Sequence, residues 1–236
     1  NLIVHNILGT VLCIVLWITS TTGQLKTIET EDVDIIYTSP LHKYLLPQLV
    51  STFTNSYNFH RNLFGYTPTE KISILMQDFG DFGHGGADAL PTNNVNIGIG
   101  PFNYVYETMP ASERMNWLMH HELTHIVTTD MPNRRDRFWR GIFRGKVSTS
   151  IDDPLSIMYS YLTNPRRYAP RWYHEGSAVF MESWMANTKG RVFGAYDEIV
   201  FRTKVRDNAI IYDIVGLESE GKTTDFQIGV NSYLYG

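Results

Sequence analysis

Residues 115–129 read MNWLMHHELTHIVTT. Apolar side chains fall at 115, 118, 119, 123, 126 and 127, the spacing of a largely buried helix. Ser112 can cap this helix, and Glu113 suits its positive end. Inside the run lies His121-Glu122-Leu123-Thr124-His125. Two histidines four residues apart project from one helical face and can chelate one ion. Glu122 is turned about 100° from His121, beside such an ion rather than on it. A glutamate so placed takes the proton of the activated water. At this composition the pattern arises by chance roughly 0.03 times in such a chain, so a pair of buried core histidines is the weaker reading. His120 is out of register for chelation with His125 and is expected to pack or to back up the site.

The 236 residues around this helix make one large domain or two small ones. Hydrophobic residues are 43% and charged residues 19%, which excludes a disordered tail, a collagen-like rod and a coiled coil. The formal net charge of −4 gives no basis for nucleic-acid binding, and no nucleic-acid partner is expected. Cys13 is the single cysteine, so neither an intrachain disulfide nor a thiolate metal cluster can form.

The first 23 residues hold no Lys, Arg, Asp or Glu, and residues 8–18 (LGTVLCIVLWI) are an apolar run followed by small polar residues. Residues 1–23 are therefore expected to be a secretory signal, cut near Gly23. An uncleaved anchor is the alternative, although the run is shorter than the roughly 20 residues of a span. Either way the body of the chain, 24–236, is expected outside the cytoplasm: periplasmic, in the cell envelope, or secreted. Loss of Cys13 with the signal would leave a cysteine-free chain, which suits an oxidising compartment.

Alternation at 33–37 (VDIIY) predicts a strand ended by Ser39-Pro40, and 42–63 has helical apolar spacing. Residues 71–76 (KISILM) predict a buried strand. A Gly-rich loop, 80–86 (GDFGHGG), leads to another alternating strand at 94–99 (NVNIGI), and helices dominate after Ser112. This order predicts an α+β domain with a small N-terminal mixed sheet, followed by helices that carry the metal ligands.

A metal centre needs another protein ligand and an open position. The next candidate stretch is Pro170-Arg171-Trp172-Tyr173-His174-Glu175-Gly176-Ser177-Ala178. Pro170 suits a first helical turn, with the helix running to about Asn187. Glu175, Ala178, Val179, Glu182, Met185 and Ala186 share one face. A carboxylate at 175 on an otherwise apolar face is costly to bury unless paired or metal-bound; a solvated helix-start glutamate is the bland alternative. Glu182, two turns on, can hold a histidine ligand through its free ring nitrogen or pair with a neighbouring Arg.

HELTH followed by PRWYHEGSA resembles the gluzincin metallopeptidases, whose pattern is HExxH and then a Trp-x-x-Glu-Gly-x-Ala helix. The resemblance is nearest to the bacterial peptidase-MA-like proteins and covers roughly 25–236, with specific motifs at 117–130 and 170–183. It implies a zincin-like fold for 24–236 and a C-terminal region expected to follow Gly236. It further implies a Zn2+ site of His121, His125 and Glu175, with Glu122 as general base and a peptide or protein as substrate. Such enzymes commonly supply an oxyanion donor from a helix after the glutamate helix, which maps onto Tyr233 with Tyr235 as alternative; packing is the bland reading for either. Two features depart from the aminopeptidase-type members. The ligands His125 and Glu175 are far apart, and Gly85-Gly86-Ala87-Asp88-Ala89 lacks the Met and Glu of their amino-terminus grip. The strand at 94–99 is expected to be an edge, open to pairing with a substrate backbone or simply an edge.

The insertion 131–171 carries an excess of Lys and Arg in an acidic chain, and 137–144 mixes these with large apolar residues (RFWRGIFR). It is compatible with contact to an anionic membrane surface, with docking to a C-terminal region, or with a loop solvated around buried aromatics. The function expected is a zinc-dependent hydrolase, a peptidase in the first place or an enzyme for other amides on the same scaffold. The alternative is a non-catalytic zinc module of a larger exported binding protein; Glu122 favours the enzyme, because a structural site has no use for a base.

Overall fold

The computed structural model describes residues 25–80, 83–100, 114–163, 170–185, 191–193, 195–209 and 211. The expected signal with Cys13, the cap residues 112–113, Tyr233 and Tyr235 lie outside the described residues. The elements run β1 (Lys26–Glu29), β2 (Val33–Tyr37), a 3-10 turn (Pro40–Leu45), α1 (Leu46–Phe64), β3 (Ile72–Gln77), β4 (Gly85–Asp88) and β5 (Asn94–Gly98). Then come α2 (Arg114–Asp130), α3 (Arg134–Phe143), α4 (Pro154–Thr163), α5 (Arg171–Met185), a short 3-10 turn (Arg191–Phe193) and α6 (Ala195–Arg206). A small mixed sheet followed mainly by helices agrees with the α+β expectation. Among the described residues no helix is long and apolar enough to cross a membrane.

Three central strands, β2, β3 and β5, are parallel, and β1 and β4 flank them antiparallel in the order β1-β2-β3-β5-β4. The expectation of an edge strand at 94–99 is therefore wrong. β5 is paired on both sides, and among the described residues the edge on its side of the sheet is β4, which begins inside the stretch read as a Gly-rich loop. Its GGAD sequence has no apolar alternation to announce a strand. β1 is also a strand that the sequence reading passed over.

Period-two patterning builds the core. Val33, Ile35, Tyr37, Ile72, Ile74, Met76, Val95 and Ile97 are buried on one face of the sheet. Leu49, Phe53 and Tyr57 of α1, with Leu118, Met119, Leu123 and Ile126 of α2, complete the cluster. Each such side chain contributes on the order of 1.5–3 kcal/mol on burial. Gly65 ends α1 in the left-handed conformation, φ 58°, which costs glycine no Cβ clash.

α2 is largely buried, packing on α1, α5 and β4. Its contact with α1 is partly polar. The Ser56 hydroxyl lies 2.8 Å from His120 Nδ1, and His60 Nε2 donates to the His120 carbonyl at 3.2 Å. His120 thus packs away from the metal-ligand face, as its register requires. Burial pushes both His60 and His120 down to about 4. Both are neutral in the fold but charge near pH 6.5 when unfolded, so their stabilisation is complete above pH 6.5 and is lost as the pH falls towards 4. At pH 5 the loss is about 2 kcal/mol for each, and less than twice that together because the two rings are neighbours. Urea denaturation at pH 7.5 and 5.0 should show this drop in the native chain and a much smaller one in a His60→Gln/His120→Gln variant. The comparison cancels contributions from all other groups.

The insertion is a helical hairpin rather than a solvated loop. Asn133 and Asp136 form a capping box that starts α3, and Phe143 of α3 meets Tyr159 of α4 with ring centroids 5.1 Å apart. Of its basic residues, Arg140 and Lys146 turn inward to Asp130. The hairpin leaves Phe138, Ile142, Leu155 and Tyr161 exposed, with Ile151 at its tip.

Candidate metal centre

α2 supplies two imidazoles and α5 a carboxylate to one spot. His121 Nε2 and His125 Nε2 are 3.1 Å apart. Glu175 Oε2 lies 3.3 Å from the first and 3.5 Å from the second. The triangle has a direct physical meaning. A tetrahedral ion with bonds of 2.0–2.1 Å separates its ligands by about 3.3–3.4 Å. Glu175 Oε2 is buried and meets no hydrogen-bonding partner in good geometry. Three electron-rich atoms facing one another in this way suit a cation, and among the described residues this is the one His/Cys/Asp/Glu group able to hold a metal ion. The residues fit zinc in number, type and spacing.

Second contacts fix the ring of His121. Its Nδ1 donates to Glu182 Oε2 at 2.9 Å, which directs the Nε2 lone pair into the triangle. Glu182 is fully buried. Both readings of this carboxylate hold at once, since Arg191 also clamps it with Nε–Oε1 at 2.7 Å and Nη2–Oε2 at 2.8 Å. Burial alone would raise Glu182; the Arg191 guanidinium and His121 outweigh it and hold it well below the usual carboxylate range. His174, next to Glu175, is not one of the three ligating residues. Its ring centroid is 6.4 Å from that of His125, as expected for neighbours on a helix that point about 100° apart.

Without a cation the same geometry stores a proton. Burial opposes an imidazolium at His121, but Glu175 and Glu182 outweigh it and push its pKa up to about 9. Glu175 answers in the opposite sense: burial would raise it, and the two histidines hold it far below its usual value. Proton and metal compete for one lone pair, so metal uptake weakens as the pH falls.

Glu122 is buried against β4. A Cβ on Gly85 would meet its Oε1 and Leu118 Cδ1 at under 3.0 Å, so a larger residue there would push the Glu122 and Leu118 side chains aside. Burial raises the Glu122 pKa against the pull of His121 and His125. A carboxylate shifted in this direction suits a group that both accepts and returns protons.

Of the site residues expected from sequence, the structure brings His121, Glu122, His125 and Glu175 together, while Tyr233 lies outside the described residues. Arg191 was missed. It follows the end of α5 and shares no helical or strand period with any other site residue. No family model matches the chain, and no curated protein does.

Proposed function

We propose that the chain is a zinc-dependent hydrolase, in the first place a peptidase, with a zincin-like arrangement of the gluzincin type. The observation that carries the reading is the triangle of His121 Nε2, His125 Nε2 and Glu175 Oε2, whose sides match a tetrahedral zinc site. Zinc held there supplies Lewis acidity and a water activated near neutral pH. Glu122 accepts the proton of the attacking water and returns it to the leaving amine. Glu182 holds the His121 ring so that Nε2 stays unprotonated towards the ion. β4, an edge strand among the described residues and beside Glu122, offers backbone groups with which an extended peptide can pair. The gluzincin resemblance would give the oxyanion donor to Tyr233, with Tyr235 the alternative.

The test is zinc binding and proteolysis of an unstructured protein by the purified chain. His121→Ala, His125→Ala and Glu175→Ala should each weaken zinc binding at least tenfold and abolish hydrolysis, and His174→Ala should leave zinc binding unchanged. A native chain that takes up no zinc, or a His174→Ala variant that loses it while Glu175→Ala does not, would overturn the assignment.

A further inference from the structure

We infer that Arg191 is a positioning residue for His121, acting through Glu182; the inference rests on the zinc reading above. The three groups form a relay. The guanidinium takes both oxygens of Glu182, at 2.7 and 2.8 Å, and leaves Oε2 one further direction, which His121 Nδ1 fills at 2.9 Å. Arg191 Nη2 itself lies 3.2 Å from Nδ1. The guanidinium can only donate and on its own would suit a bare Nδ1, but the carboxylate oxygen can only accept and is the closer partner, 2.9 against 3.2 Å, so the hydrogen sits on Nδ1 and that of Nη2 goes to Oε2. The Nε2 lone pair is then committed to the triangle.

Fixing the carboxylate fixes the imidazole. A free Glu182 could rotate about its last bond and lose the direction of its bond to Nδ1. Two parallel bonds from a planar fork prevent that rotation, and a lysine ammonium cannot reproduce them. The fork is itself held in place. Val192 N–H donates to Ser183 Oγ at 3.0 Å, and Ser183 Oγ donates to the Val179 carbonyl at 2.8 Å, which latches the short turn onto α5. On its other side the guanidinium lies 5.7 Å from the ring centre of Trp117, on α2.

Charge balance gives the same answer. Glu122, Glu175 and Glu182 bring three buried or largely buried carboxylates to one place, and uncompensated anions there are costly. When all three are ionised, Arg191 and one divalent cation restore neutrality. Arg191 is thus the fixed part of the compensation, and the metal the exchangeable part.

The experiment measures the zinc dissociation constant by competition with a chromophoric chelator, the absorption bands of the cobalt-substituted protein, and the melting temperature of the metal-free form. Arg191→Met should raise the zinc dissociation constant by about ten- to a hundredfold and alter the cobalt bands, and Arg191→Lys should recover part of the loss. Glu182→Gln should match Arg191→Met, and combining them should add little. A role in folding alone would lower the metal-free melting temperature of the variants while their cobalt bands stayed native. If Arg191→Met does not fold, Arg191→Lys decides: a raised constant with altered bands supports the relay. Native affinity and native bands in Arg191→Lys and in every other variant that folds would overturn it. A native chain that binds no zinc instead brings down the zinc reading itself, a separate outcome.

Discussion

Glu122→Gln is expected to lower turnover on an unstructured protein substrate by about 10²- to 10⁴-fold while zinc stoichiometry stays unchanged. Gln has nearly the volume of Glu, so it fits under β4, where Gly85 leaves only the space of a missing side chain. What it lacks is the ability to take a proton. The ligating atoms of His121, His125 and Glu175 belong to other side chains, so the triangle survives. Zinc content by metal analysis and initial rates by peptide release would be read on the same samples. A variant as active as the native chain would remove Glu122 from the mechanism. A native chain that binds zinc but hydrolyses no peptide, with Glu122→Gln indistinguishable from it, would instead favour a non-catalytic zinc module.

The largest effect on stability is expected at Asp130, at the far end of the same helix. Its carboxylate is 1% exposed and gathers four donors: Tyr66 Oη at 2.7 Å, Asn93 Nδ2 at 3.1 Å, Arg140 Nη1 at 3.0 Å and Lys146 Nζ at 3.0 Å. Asp130→Asn leaves Lys146, itself 2% exposed in its side chain, without its nearest buried anion. Breaking such a pair from one side costs about 3–5 kcal/mol. Urea denaturation at pH 7 would read the loss, and Asp130→Asn combined with Lys146→Met should cost less than the two single changes added together. A cost under about 1 kcal/mol, the size of an exposed pair, would contradict the account. The pH dependence has a definite sign. Burial alone would raise Asp130, but Lys146, Tyr66 and Asn93 hold it below its ordinary value. Its contribution is therefore complete above the unfolded carboxylate value near 3.9 and is lost as the pH falls through the lower folded value.

The helix that carries the site was legible because its signals are local. Residues 115–129 state both the apolar period and the histidine pair, and the structure has the helix at Arg114–Asp130. Glu175 and Glu182 followed from the same reasoning, since positions seven apart on one helix must share a face. The α+β arrangement was readable too, because period-two and period-3.6 patterns come from the chain's own geometry. The positions of Glu175 relative to the histidines and of Arg191 relative to Glu182 were not. Glu175 meets the histidines across about 50 residues, through the packing of α5 on α2, and Arg191 reaches Glu182, nine residues back, only because the turn after α5 folds against that helix. Strand order escaped for the same reason. Gly85–Asp88 has no apolar face to reveal a strand, because what lies under it is Glu122 and Leu118 rather than a run of core side chains. Nothing in the sequence marks Asp130, and only the convergence of Tyr66, Asn93, Arg140 and Lys146 makes it a buried hub. Periodicity therefore determined which side chains each element presents and to which face. Which faces meet, and so which edge is open and which cation balances the buried carboxylates, was decided by tertiary packing, because non-local pairing leaves no period in the chain.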